Sequence, residues 1–217
     1  MLRFEVDAEK PTVNKIIEAA IPLFAAKGLA AVSVKELADA AGVNVALISY
    51  YFGGKDNLYA FVLKKQLAIL GDAMNSISDE KISPVMKLRR FCDMLLDANK
   101  KIPHLDRLFF LEIISPTKYF NTIVKASVFR LQLFLQGCIK EAIASGEFRS
   151  DIQPEFAALS MMKILNLSFT AQNFFSELLP EAENFTEQYM AHALQIYLYG
   201  VTGKSLDESK MGGENGK

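Results

Sequence analysis

The chain has 217 residues, of which 51% are hydrophobic and 23% charged, with a formal net charge of −1. This is enough apolar material for a substantial core in one or two domains, and it argues against a disordered chain or a basic nucleic-acid-binding tail. No apolar run approaches the roughly 18 residues of a membrane helix, and the acidic opening MLRFEVDAEK lacks the apolar centre of an export signal.

Residues 1 to 11 read as a short arm ending at Pro11. Thr12 is placed to cap a helix that runs to about Lys27 on an inner face of Ile16, Ala20, Leu23 and Phe24, with Gly28 ending it. Pro22 inside this helix removes one hydrogen bond and predicts a kink or local break.

Residues 33 to 55 are the most informative stretch. Val34, Leu37, Ala38 and Ala41 fall at i, i+3, i+4 and i+7, one apolar face of a short helix. Ser33 precedes that face and Glu36 follows three residues later, which is a capping box. Gly42 suits the left-handed cap that ends the helix. Asn44 then caps a second helix whose inward residue, Ile48, faces Ala38, a small residue where two backbones cross. This is the layout of a helix-turn-helix, whose second helix enters the DNA major groove. Two ordinary packed helices share the same spacing. The tail Tyr50-Tyr51-Phe52-Gly53-Gly54-Lys55 adds hydroxyls, glycines and a lysine suited to a phosphate backbone rather than to a pure core.

Residues 12 to 60 resemble the N-terminal domain of TetR-family transcriptional repressors. The matching residues are Phe24, Ala25, Lys27 and Gly28 at the end of the first helix, then Ser33, then Ala41, Gly42 and Val43 at the turn, then Tyr51, Phe52 and Lys55. The match is dense over about a quarter of the chain; the remainder is similar in length and helical character. The resemblance implies an all-α fold of about nine helices, with a three-helix head and a helical body that binds ligand and dimerises. The expected division is a DNA-binding domain over 1–55, a ligand-binding and dimerisation domain over 56–200, and a mobile tail over 201–217.

A long helix is expected from near Asp56 to about Ile77, with Leu58, Val62, Leu63, Leu67 and Leu70 on its apolar side. The polar segment SDEKISP, 78 to 84, breaks it and reads as a hinge. Helices follow over Val85 to about Lys100, Leu105 to Ile114, 118 to 145, Glu155 to about Leu178, and Asn184 to about Tyr199. Pro103, Ser115-Pro116-Thr117, Gly146 and Pro180 separate them. No strand alternation and no internal repeat is visible. Cys92 and Cys138 sit in helical patterns far apart and read as free buried thiols in a reducing cytosol. Neither they nor His104 and His192 show metal-ligand spacing, so no metal and no cofactor is expected.

For DNA contact the expected residues are Asn44, Val45, Ala46, Ser49 and Tyr50 nearest the bases, with Ser33, Tyr51 and Lys55 toward phosphate. Rival roles are open: Tyr51 as packing against the first helix, Ser33 as a cap first, Val45 as merely exposed. Among residues 1 to 60 the bases Arg3, Lys10, Lys15, Lys27, Lys35 and Lys55 face the acids Glu5, Asp7, Glu9, Glu18, Glu36, Asp39 and Asp56, a balance of 6 against 7. That counts against a strong electrostatic footprint and toward reliance on dimerisation. The body interleaves aromatics with polar residues, as a small-molecule cavity requires. The resemblance implies such a cavity, with Phe110, Cys138, Asn166, Phe169, Thr170 and Asn173 as its expected lining. The implied partners are an operator duplex, a small-molecule effector and a second copy of the chain, with no membrane. The function is then a ligand-responsive homodimeric repressor on a palindromic operator. The alternative is an all-helical small-molecule binding protein without DNA binding. An enzyme has no support: no nucleophile elbow, metal cluster or phosphate loop is present in the sequence.

Overall fold

A computed structural model describes residues 10–101, 105–170 and 184–203. Among the described residues all regular structure is helical. The elements are α1 (Pro11–Ala31), α2 (Val34–Ala41), α3 (Val45–Phe52), α4 (Lys55–Ser78), α5 (Pro84–Lys101), α6 (Leu105–Ile114), a π-helical turn (Phe120–Val124), α7 (Lys125–Ala144), α8 (Pro154–Thr170) and α9 (Phe185–Thr202). The all-α class expected from the periodicity is the one observed.

Two buried apolar clusters hold these helices. The first joins Ile16, Ile17 and Phe24 of α1 to Leu37 and Ala38 of α2, Ile48 and Phe52 of α3, and Leu58, Tyr59 and Val62 of α4. It also takes in Leu108 of α6 and Val124 of the π turn. The second joins Met74 and Ile77 of α4 to Leu88 and Phe91 of α5, Leu135 and Ile139 of α7, Met161 of α8 and Leu198 of α9. Helix α4 therefore supplies its first half to one core and its last turns to the other. It is a helix that the two cores share.

Several local expectations are corrected. Helix α1 starts at Pro11, not after a Thr12 cap, and Lys10 at the N-cap makes no side-chain capping bond. Proline suits the first helical position because its fixed φ is already helical and its missing N–H would have had no partner. Pro22 causes no break: the single non-helical residue inside α1 is Gly28, at φ 73° and ψ 170°, after which the helical turn resumes to Ala31. Pro22 is exposed, as is Glu18 one turn back, so solvent reaches the carbonyl that the proline leaves without a donor. The helix expected over 118 to 145 begins with the π turn, in which Val124 N–H reaches the Tyr119 carbonyl at 3.4 Å. The expected end near Leu178, residues 204–217 of the expected tail and His104 lie outside the described residues; Val201 and Thr202, expected in the mobile tail, instead continue α9, because Val201 is buried in the second core.

A buried polar node ties α4 to the end of α6. The Tyr59 hydroxyl donates to Glu112 Oε1 at 2.7 Å, and both residues are almost wholly excluded from solvent. Thr117 donates to the same carboxylate twice, from its N–H at 3.2 Å and from Oγ1 at 2.7 Å. Tyr59 also meets the Phe24 ring edge-on at 4.9 Å between centroids. Burial, and then the bond to Glu112, push the phenol far above its ordinary range.

The two cysteines are free and buried, as expected. Burial pushes the Cys92 thiol up to about 12 and that of Cys138 up to about 11, from an ordinary value of 9.0. Each keeps its proton longer in the folded chain than in the unfolded one. Their contribution to stability is therefore whole below pH 9.0 and is lost as pH rises through 11 and 12. Two results are expected: no labelling of either thiol by a disulfide reagent at pH 8 until denaturant is added, and denaturation midpoints that fall as pH is raised above 9.0.

Candidate nucleic-acid interface and effector cavity

The α2–α3 turn is built as its residue types require. Ser33 Oγ accepts from Glu36 N–H at 3.1 Å while Glu36 Oε2 accepts from Ser33 N–H at 3.5 Å, a complete capping box. Glu36 is also salt-bridged to Lys27, which fastens the end of α1 to the start of α2. That lysine holds the Glu36 carboxyl below its ordinary range. Gly42 sits at φ 63°, ψ 38°, and Val43 N–H reaches back to the Ala38 carbonyl at 3.0 Å. These are the marks of a left-handed glycine cap. Asn44 Oδ1 then accepts from Ala46 N–H at 2.9 Å and starts α3. Replacing Ser33 by Ala removes the side-chain half of the box and is expected to cost about 1 kcal/mol in urea denaturation. The far-UV spectrum should hardly change.

Helix α3 is two-sided. Ile48 and Phe52 are buried in the first core and Leu47 packs against it. The opposite face presents Asn44, Val45, Ala46, Ser49 and Tyr50 to solvent. Tyr50 is 73% exposed, and its recorded ring contact is edge-on with Tyr51 at 4.9 Å. Tyr51 is half-buried against the first core, with the Lys10 ammonium 6.0 Å from its ring centroid, so the packing role holds for much of this side chain. Gly53 at φ 70° and Gly54 at φ 120° turn the chain into α4. Lys55, at the first position of α4, donates to the Val32 carbonyl at 2.7 Å. An ammonium has three donors, so this bond fixes Lys55 beside α3 and leaves donors for an anion.

In the body, α4, α5, α6, α7 and α8 surround an apolar cavity. Its described lining includes Leu63, Gln66, Leu67 and Leu70 of α4, Asn99 of α5 and Asn166 of α8. Its interior volume is about 110 Å³, and it opens to solvent at a mouth. Of the expected lining residues, Asn166 is in the wall. Phe109 lines the cavity in place of its neighbour Phe110, because α6 turns successive side chains about 100° apart. Cys138 is packed in the second core. Asn173 and the side chains of Phe169 and Thr170 lie outside the described residues. Sequence reasoning missed Gln66. The signal was there: Leu63, Gln66, Leu67 and Leu70 fall at i, i+3, i+4 and i+7, so a glutamine interrupts an otherwise apolar stripe.

Comparison with known proteins agrees with this geometry. The family profile described as "Bacterial regulatory proteins, tetR family" matches residues 16–62, which span the head from within α1 to within α4. The probable HTH-type transcriptional regulator YttP of Bacillus subtilis is 28% identical over 197 residues, covering 88% of this chain and 93% of that protein. The head of the chain, residues 16–62, is that of a TetR-family transcriptional regulator. Among solved structures, the ketosteroid transcriptional regulator KstR2 of Mycobacterium tuberculosis superposes with a TM-score of 0.74 at 18% identity, covering 93% of this chain and 100% of that one. The transcriptional regulator FadR of Bacillus subtilis, in complex with stearoyl-CoA, gives a TM-score of 0.67 at 17% identity, covering 87% and 98%.

With this head the chain is a DNA-binding regulator, and its weak basic balance has a structural counterpart. Of the acids in the head, Glu36 is paired with Lys27, and Asp56 is paired at 2.5 Å with Lys118 from outside the head. Lys118 brings a positive charge to the base of α4 that a count over residues 1 to 60 leaves out. No helix among the described residues is long and apolar enough to cross a membrane.

Proposed function

We propose that the protein is a ligand-responsive, homodimeric repressor that reads a palindromic operator with the exposed face of α3. Asn44, Val45, Ala46, Ser49 and Tyr50 approach base edges, while Ser33, Tyr51 and Lys55 meet the backbone. The observation that carries this is the two-sidedness of α3: an apolar face seals the head, and the other stands in solvent bearing hydroxyls, an amide and small apolar groups. Hydroxyls and amides bond base edges or phosphate, and small apolar groups fit a thymine methyl.

The second copy is supported by α8 and α9. They pack together, with the Tyr197 hydroxyl donating to the Ala157 carbonyl at 3.0 Å. Yet Phe156 and Leu159 of α8 and Ile196 and Tyr199 of α9 face outward, Ile196 at 72% exposure and Tyr199 at 80%. Large apolar side chains in such a group favour a partner over water. A two-fold pair places two recognition helices about 34 Å apart, one turn of B-DNA.

The effector role is supported by α4. One helix carries both the head's core residues Leu58 and Tyr59 and the cavity residues Leu63, Gln66, Leu67 and Leu70. A ligand that binds one placement of α4 better than another changes the spacing of the two heads. The neighbouring FadR structure with stearoyl-CoA lends support to an effector that carries a long apolar chain. Sedimentation of the full chain, together with fluorescence anisotropy on the DNA upstream of its own gene, tests the proposal. A dimer with saturable, salt-sensitive, sequence-specific binding is expected. A monomer, or equal affinity for scrambled DNA, contradicts it.

A further inference from the structure

The cavity holds a demand that apolar walls do not meet. Gln66 is 4% exposed, yet neither its Oε1 nor its Nε2 has a hydrogen-bond partner. The buried Oδ1 of Asn99, on α5, is likewise without a partner. Asn99 stands between this cavity and a smaller one beside Asn184 and Glu187, so Gln66 is the primary group. Buried amide groups carry a free-energy penalty until they are hydrogen-bonded. A leucine at position 66 would complete the α4 stripe and avoid that penalty. Water can serve the amide while the cavity is empty, but a molecule that fills the space has to replace those bonds or lose affinity.

We propose that Gln66, assisted by Asn99, recognises the polar end of a largely apolar ligand, and that this end is an uncharged group with donor hydrogens beside an acceptor, a carboxamide being the best match. This rests on the reading of the body as an effector domain. The chemistry is set by counting. Both ends of the Gln66 amide lack partners, so one donor and one acceptor are unmet whichever end carries the oxygen. An ionised carboxylate or an ester brings acceptors only and leaves the glutamine oxygen without a partner. A carboxylate must also shed its hydration between apolar walls. A primary carboxamide has two N–H donors and one carbonyl. In number these match the unmet Gln66 Oε1, Asn99 Oδ1 and Gln66 Nε2.

The test is titration calorimetry of the full chain with four probes built on the same ten-carbon chain: decanamide, decan-1-ol, methyl decanoate and decanoate. Decanamide is expected to bind at least about tenfold more tightly than the ester or the carboxylate, the equivalent of one or two hydrogen bonds, with the alcohol between. In Gln66→Leu the preference for amide over ester should shrink to about twofold or less. The melting temperature of the ligand-free variant should be equal or higher, which reports that it is folded. Asn99→Leu should lower the preference in part. Equal wild-type affinity for amide and ester, a preference that survives Gln66→Leu, or no binding of any probe overturns the assignment. Operator binding is read separately by anisotropy. Loss of sequence-specific DNA binding with amide discrimination intact is a failure of the repressor reading alone; specific DNA binding without discrimination is a failure of this one alone.

Discussion

Tyr50→Ala is expected to weaken operator binding by at least about 30-fold while leaving the fold and the dimer unchanged. Tyr50 lies at the outer face of α3, 73% exposed, where its ring touches Tyr51 and its hydroxyl is open to solvent. Truncation there removes little packing, and exposed substitutions of this kind shift stability by about 0.5 kcal/mol or less. A lost base or phosphate contact is worth about 1–3 kcal/mol per subunit. A two-fold complex loses it twice, and about 2 kcal/mol already corresponds to roughly 30-fold. Anisotropy on operator DNA measures the loss, with thermal melting and sedimentation as controls. Unchanged affinity would remove Tyr50 from the interface. Lys55→Ala provides the contrast. It should weaken binding to all sequences alike, lower the salt slope, and also loosen the head, because it breaks the bond to the Val32 carbonyl.

The second large effect is expected at Glu112. Glu112→Leu preserves bulk but leaves the Tyr59 hydroxyl and both Thr117 donors without their acceptor inside the protein. Stranded buried donors cost about 1–3 kcal/mol each when they find no substitute. Thr117 is only half-buried and recovers part of its loss to water, so a net destabilisation of about 3 kcal/mol is expected. For a chain of this size that lowers the melting temperature by about 6–12 °C. Glu112→Gln retains one acceptor oxygen and should lose about a third as much. Tyr59→Phe combined with Glu112→Leu should be less damaging than the sum of the two, because the pair shares one bond. Strict additivity in denaturant melts would show that Tyr59 and Glu112 act independently. The node joins α4 to the end of α6, so these variants are also expected to alter how strongly a bound ligand changes DNA affinity.

The head was legible because each of its boundaries is set by a residue acting on its own neighbours. Ser33 with Glu36, Gly42, and Asn44 specify α2, the turn and α3 through bonds spanning two to five residues. The sorting of α3 into a buried and an exposed face followed from Ile48 and Phe52. Misreadings arose where the local signal had two outcomes. Pro22 reads as a helix breaker, yet on an exposed face its cost was absorbed, and the irregularity lies at Gly28. Thr12 and Pro11 both suit a helix start, and proline at the first position prevailed.

The body was legible as helices but not as a site. Which side of α6 faces the cavity depends on its packing against α4 and α8, so Phe109 and Phe110 were not distinguishable beforehand. Gln66 was overlooked because a single glutamine in a leucine stripe carries no meaning until both of its polar atoms are seen without partners. The Tyr59–Glu112 pair spans 53 residues of sequence, and no local pattern announces it. The charge balance misled for a related reason, since Lys118 reaches Asp56 from 62 residues away.

Selection of bound sequences from a random duplex pool by the purified full chain tests the central claim most directly. The account predicts an inverted repeat whose half-site centres lie about one helical turn, 10–10.5 base pairs, or a whole multiple of it apart. Enrichment should vanish when the same selection is run with Tyr50→Ala. A pool that stays random with the unaltered chain, or that converges equally with the variant, would contradict the assignment of α3 as the reading helix.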